Sequence, residues 1–321
     1  MMRAIVQKGY GSPDVLKLEE IERPAVADNG VLIRVRAASV NAMDSHMVHS
    51  SRVFGMLMGL RTKRRVRGVD VAGVVEAVGK DVTRFKPGDE VFGFANGAFA
   101  DYASTSEDRL AIKPRNLSFA EAAATPMAAI TALQGLRDTA RVQRGQRVLI
   151  HGAGGGVGSF AVQIAKALGA HVTAVTSTRN MNVVSALAPD DTIDYTREDF
   201  AKRAERFDVV FDNAATRPVR DCLRVLTPTG IYAGVGAPKS GTLAAIRHLG
   251  EVFVRSRFTR RVRMVMAKAK REDLETLREM AEAGSIRPVI DNRYSLAQVP
   301  DAIRYVKAGQ GRAKVVIDID T

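Results

Sequence analysis

The sequence has 321 residues, 46% hydrophobic and 26% charged, which excludes a disordered or fibrous chain, and at roughly 150 residues per domain its length suggests two domains. Cys222 is the single cysteine, so a disulfide framework, a Cys-rich zinc site and an iron–sulfur cluster are excluded. Lys and Arg number 48 against 35 Asp and Glu, a net charge of +13, and no run of about 18 uncharged apolar residues offers a membrane span.

The first residues, from Met1 to Lys8, lack the apolar core of a signal peptide. A reducing, cytoplasmic setting is the expectation. Short strands with turn punctuation follow. The stretch from Val31 to Ala37 partly alternates, and Val69 to Val78 is apolar with Gly68, Gly73 and Gly79 around it. A Pro87-Gly88 turn then leads into another strand. This pattern predicts an antiparallel, barrel-like β unit. Ser118 with Glu121 makes a capping-box start, and 120–136 is helical in composition.

From Arg147 the texture changes to alternation. Strands are predicted at 147–150, 170–176, 191–194, 207–211 and 230–235, with helices at 157–168, 180–187 and 218–226. Such alternation implies an α/β fold, a parallel sheet with right-handed crossovers. Helices at 272–283 and 299–308 and a strand at 314–319 close the chain. The reading is a doubly wound nucleotide-binding domain, 121–262, inserted into a β-rich domain made of 1–120 and 263–321. Residues 247–271 carry nine basic side chains and one acidic, a local net of +8. A smaller basic knot holds Arg61, Lys63, Arg64, Arg65 and Arg67. A nucleic-acid or anionic-surface footprint competes here with solvated edges and a phosphate-bearing ligand. No nucleic-acid motif accompanies the charge and aromatic residues are only 6%, so the expectation is against nucleic acid.

The strongest chemical signal is His151-Gly152-Ala153-Gly154-Gly155-Gly156-Val157-Gly158. It follows a strand and opens a helix. Glycines there permit the tight turn, the close approach of backbone to a pyrophosphate and close helix–strand packing. The free amides and the helix dipole then hold the anion. An NAD site usually sets an acid about 20 residues on, at the end of the second strand, to bond the ribose. Here Val175-Thr176-Ser177-Thr178-Arg179-Asn180 has none until Asp190. Ser177 and Arg179 can instead hold a 2′-phosphate, so NADPH is favoured over NADH.

These motifs occur in a familiar order. Asn41 follows the 31–40 strand, Gly68 to Gly79 and Lys86 to Gly93 come next, then the glycine loop, then Ala233-Gly234-Val235-Gly236. Together they resemble the medium-chain dehydrogenase/reductase superfamily over essentially the whole chain, and within it the zinc-free quinone oxidoreductase, zeta-crystallin-like branch. The resemblance implies a GroES-like catalytic domain, a Rossmann domain, NADPH in the cleft between them, and commonly a homodimer. It puts Gly154, Gly155, Gly156 and Val157 on the phosphates and Asn41 and Thr131 near the nicotinamide. Val235, Gly236 and Ala237 approach from the Rossmann side, and Tyr195 joins Ser177 and Arg179 among the cofactor-binding candidates.

Zinc enzymes of the superfamily use a Cys near Asn41 and Gly-His-Glu where this chain has Gly68-Val69-Asp70. Valine cannot ligate a metal, so zinc independence is expected. His46 and His49 with Asp44 could meet a metal; polar cleft lining or plain surface is the simpler reading. Related quinone reductases often carry a Tyr where His46 stands, so His46, with Asn41, is the catalytic candidate for bonding substrate or donating a proton. Phe54, Met56, Met58 and Leu60 suit core packing or the wall of an apolar pocket. Cys222 reads as a buried structural thiol, and His151 and His171 as structural. The implied activity is NADPH-dependent reduction of quinones or α,β-unsaturated carbonyls. A reductase or dehydrogenase of simple ketones, aldehydes or alcohols is the second reading. A cofactor-binding redox sensor or nucleic-acid-associated protein without useful turnover is the third.

Overall fold

The computed structural model describes residues 1–49, 65–236 and 242–319. Phe54, Met56, Met58, Leu60, the front of the basic knot and Ala237 lie outside them. The chain divides into two compact units, residues 1–127 with 269–321, and residues 128–268.

The first unit opens with β1 (Met2–Gln7), β2 (Leu16–Ile21), β3 (Gly30–Val40), helix α1 (Ala42–His49) and β4 (Arg65–Val66). It continues with β5 (Asp70–Val78), β6 (Glu90–Phe94), β7 (Tyr102–Ser106) and β8 (Leu110–Ile112). Helix α2 (Phe119–Ala124) starts on the predicted capping box, Ser118 and Glu121 each bonding the other's backbone N–H. The single helix predicted over 120–136 is broken. Helix α3 (Pro126–Leu133) restarts at a proline, which has no N–H to continue the hydrogen bonds of α2, and a π-helix runs on through Gln134–Ala140. The unit boundary falls later than the sequence suggests because α2 packs on β3 and β5.

The second unit is a six-stranded sheet. Its elements in order are β9 (Arg147–His151), α4 (Gly156–Ala167), β10 (His171–Thr176), α5 (Met181–Ser185), β11 (Asp191–Asp194), β12 (Phe207–Asp212), α6 (Val219–Arg224) and β13 (Leu226–Gly234). The basic stretch adds two elements absent from the sequence reading, helix α7 (Thr242–Phe258) and edge strand β14 (Val262–Met264). All strand pairs are parallel, in the order β11-β10-β9-β12-β13-β14. Counting from β9 this is 3-2-1-4-5-6, the doubly wound order that binds dinucleotides where the order reverses. Phe200, Phe207, Tyr232, Val252 and Cys222 pack in its core. Cys222 is buried, and burial holds its thiol well above the usual range.

The chain then returns through α8 (Arg271–Glu282), β15 (Ile290–Ser295), α9 (Val299–Lys307) and β16 (Lys314–Asp318). These complete the first unit, whose main sheet runs β15-β16-β3-β5-β6-β8 with β7 on β3, beside a smaller sheet β2-β1-β4. Two registers matter. In β3/β5, Ser39 stands opposite Asp70, and in β16/β3, Val315 stands opposite Val40. Asn41 and Lys314 therefore emerge together beyond that pair.

Candidate active site

The candidate dinucleotide cradle is built from backbone. Gly154, Gly155 and Gly156 lie between β9 and α4, with Gly155 as the helix N-cap and Gly156 its first residue. Two glycines of this turn leave no room for a side chain. A Cβ on Gly158 would sit 2.1 Å from the carbonyl oxygen of Gly152, and one on Gly154 would stand 2.7 Å from the Asn180 amide. The turn thus packs close on itself at the N-terminus of α4, the end of a helix that favours an anion. Val157 is half-buried in its first turn.

The end of β10 closes around the same turn. Ser177 caps a short 3₁₀ turn without using its hydroxyl on the backbone, and Arg179 is exposed in that turn. The N–H of Tyr195 donates to the Thr176 carbonyl at 2.9 Å, which brings Tyr195 beside Ser177. Asn180 was missed as a site residue. Its buried Oδ1 has no hydrogen-bond partner among the described residues, which leaves an acceptor beside the cradle. The segment after β10 has no acid of its own, as its sequence reads, but the neighbouring strand brings one. Strand β11 pairs with β10, Thr176 opposite Asp194, and Thr178 donates its hydroxyl to the Asp194 carboxylate. The N–H and hydroxyl of Thr196 donate to its other oxygen, and the Thr178 bond leads the effects that hold Asp194 below the usual carboxylate range. This acid braces the turn.

Behind the cradle lies a buried network. The His151 Nδ1 is 2.9 Å from Asp212, and the Tyr232 hydroxyl donates to the same carboxylate at 2.8 Å. The amides of Ala214 and Ala215 also donate to it. His151 is structural, as expected. Val235 is tied back by its N–H to the Asp212 carbonyl, Gly236 adopts φ 71°, and Thr131 is buried on α3.

The first unit holds a different kind of site. The Asn41 side chain donates to Asp70 at 2.9 Å, and its Oδ1 accepts from the Lys314 ammonium at 2.8 Å. Lys314 also reaches Asp70 at 3.5 Å. The Ser39 hydroxyl and the Met127 amide donate to Asp70 at 2.8 and 3.1 Å. Asp44, on α1, accepts the Asn41 backbone N–H at 2.8 Å. Burial, reinforced by the Asp70 charge and opposed by that backbone bond, pushes the Asp44 carboxyl up to about 7. Burial likewise pulls the Lys314 ammonium down, against the pull of Asp70 and Asp44. Asp44 also lines a cavity of about 490 Å³ with Met47, Arg67, Gly68, Val69 and Asn96. Arg67 donates there to Gln7 and to the Met47 sulfur.

His46 does not join this cluster. It is exposed on α1, on the other side from buried Asp44, so the two do not converge on one metal. Among the described residues no three His, Cys, Asp or Glu gather as a ligand group. Sequence reasoning missed Lys314, Asp44 as a buried acid, and the role of Asp70. A signal existed. Asp70 and Lys314 are charges set in apolar strands, and a buried charge calls for an opposite partner.

Comparisons with known proteins agree with this architecture. Residues 27–115 match the alcohol dehydrogenase GroES-like domain, and residues 187–317 match a family described as zinc-binding dehydrogenase. The chain is 35% identical to 2-methylene-furan-3-one reductase of Solanum lycopersicum, over 98% of this chain and 79% of that one. It is 32% identical to the chloroplastic NADPH-dependent alkenal/one oxidoreductase of Arabidopsis thaliana, with the same coverage of each. The solved quinone oxidoreductase of Coxiella burnetii superposes with a TM-score of 0.86 at 30% identity, covering 99% of both chains. No helix among the described residues is long and apolar enough to cross a membrane.

Proposed function

The chain belongs to the medium-chain dehydrogenase/reductase superfamily, in its quinone oxidoreductase branch, and from that premise we propose that this oxidoreductase reduces quinones or α,β-unsaturated carbonyl compounds with NADPH and without zinc. The names of the tomato and Arabidopsis relatives support an enone-type acceptor. Gly154, Gly155, Gly156 and Val157 would hold the pyrophosphate, while Ser177, Arg179 and Tyr195 would take the 2′-phosphate. Thr131, Val235 and Gly236 remain proposed cofactor contacts. Bound NADPH would supply the hydride.

The observation that carries the reading is the clamp on Asn41. Lys314 occupies the amide oxygen and Asp70 takes one N–H. That fixes which end of the amide is which, and it leaves one N–H to donate to a ligand. A carbonyl oxygen bonded there would be stabilised as negative charge develops on it when hydride reaches the conjugated carbon. The product enolate then needs a proton. Asp44, a cavity-lining carboxyl poised at about 7, can hold one at neutral pH, and His46 is the second proton donor candidate. Zinc independence is supported by the same residues. Val69 has no ligand atom, and Asp70 already faces the Lys314 cation.

Asn41→Ala should lower kcat about 10²-fold, as for removal of one oxyanion donor, with NADPH affinity little changed. Steady-state kinetics with one quinone and one enone measure this. Wild-type turnover in the variant, or turnover lost with zinc on chelation, would sink the reading.

A further inference from the structure

Of the nine basic side chains of 247–271, Arg271 pairs with Glu272 at the start of α8, Lys268 and Lys270 are exposed ahead of it, and the other six divide by what they do. Arg255 pairs with Glu251 at 2.9 Å. Arg261 donates to the carbonyls of Thr227 and Gly230, and Arg263 to those of Thr139 and Arg260. These serve the fold. Arg247, Arg257 and Arg260 are exposed, and no ion pair among the described residues engages them.

The helix that carries two of these three is turned an unusual way. Its inner face buries His248 and packs Val252 into the sheet core. Its outer face presents Gly250, Phe253, Val254, Arg257 and Phe258, spaced i, i+3, i+4, i+7 and i+8, one stripe of a helix. A surface helix normally turns polar residues outward. Here Phe253 is 60% exposed, Val254 53% and Phe258 87%, with Met266 of the same basic stretch at 71%. The Arg257 guanidinium lies 5.5 Å from the centre of the Phe253 ring. Single exposed apolar residues need no explanation, but an apolar stripe edged with unpaired cations does.

We propose that the outer face of α7 docks the protein on a bilayer surface bearing anionic headgroups. Phe253, Val254 and Phe258 would enter the acyl boundary while Arg247, Arg257 and Arg260 meet the phosphates. The helix is already anchored on its sheet, so no ordering cost opposes docking. A second copy fits less well, because self-contact would set arginines against arginines with only Glu251, already paired, between them. A nucleic acid would satisfy the charge but leave the aliphatic part of the stripe without a dry partner. The inference does not depend on the reading of the active site.

Sedimentation of the full chain with phosphatidylcholine vesicles, with and without phosphatidylglycerol, tests it. Binding should need the anionic lipid and weaken with salt. Phe253→Ser with Phe258→Ser should weaken binding by at least about tenfold. Arg257→Gln and Arg260→Gln should each cost about fivefold, whereas Lys307→Gln, an exposed lysine of the other unit, should cost little. Unchanged thermal unfolding of each variant excludes misfolding. The proposal is overturned if anionic vesicles bind no better than neutral ones. It is equally overturned if a single-stranded oligonucleotide binds as tightly and survives the Phe changes, or if those changes alter only the mass of the protein in solution.

Discussion

The glycine loop and the Asn41 cluster solve the problem of holding charge in opposite ways. The loop offers backbone amides and is contiguous, Gly152 to Gly158, with glycine at 154 and 158 where a Cβ would collide. The cluster uses side chains from three distant places, Asn41, Asp70 and Lys314, and buries an ammonium against carboxylates. Backbone dipoles stay neutral and are cheap to bury. Buried ions must balance each other or destabilise the fold. One region is therefore sensitive to shape and the other to charge.

Removing a charge from the cluster should have the largest effect. Lys314→Met leaves the Asp70 carboxylate buried without its cation and should cost about 3–5 kcal/mol of stability in urea unfolding. Adding Asp70→Asn should restore much of that loss, because the surviving ion disappears. If the single variant is as stable as the parent, the cluster is not an ionic device.

Proton occupancy should come next. The Asp44 carboxyl is raised from 3.8 to about 7, so the folded state keeps a proton that the unfolded chain has lost. The stability this gives is complete below the unfolded value and drains away as pH rises through about 7. Between pH 5 and pH 8 the parent should lose roughly 3 kcal/mol from this group, at about 1.36 kcal/mol per unit. Asp44→Asn should flatten that part of the profile and be the more stable protein at pH 8. Parallel pH profiles for parent and variant would remove Asp44 from the account.

On the side of the loop, the effect should be specific to the cofactor. Arg179→Ala should weaken NADPH binding ten- to hundredfold, or about 1.5–3 kcal/mol, and leave NADH binding unchanged. Equal losses for both cofactors would mean that Arg179 shapes the turn and does not read the phosphate. The smallest change is expected at His46. An exposed proton donor is readily replaced by water, so His46→Phe should slow enone reduction by no more than about threefold. A larger loss confined to turnover would promote it over Asp44.

Much of the architecture could be read from residue order. The strand–glycine–helix succession, the alternation after Arg147 and the capping box at Ser118 are local patterns, and local patterns need no knowledge of what lies across the sheet. The misreadings have physical causes too. Pro126 split a helix whose composition is uniform, and the basic stretch hid α7 because its apolar residues turn outward as well as inward. That Asp194 stands beside the turn after β10 was not legible along the chain, because it comes from a neighbouring strand.

The sequence by itself determined the fold class, the glycine turn between β9 and α4 and the absence of a zinc ligand at Val69, because each follows from which atoms a short segment does or does not have. Only the tertiary structure decided the surroundings of Asn41. Ser39 opposite Asp70 and Val40 opposite Val315 are matters of strand register, set by the burial of whole strands. That register carries Lys314, 273 residues away along the chain, to the Asn41 amide oxygen.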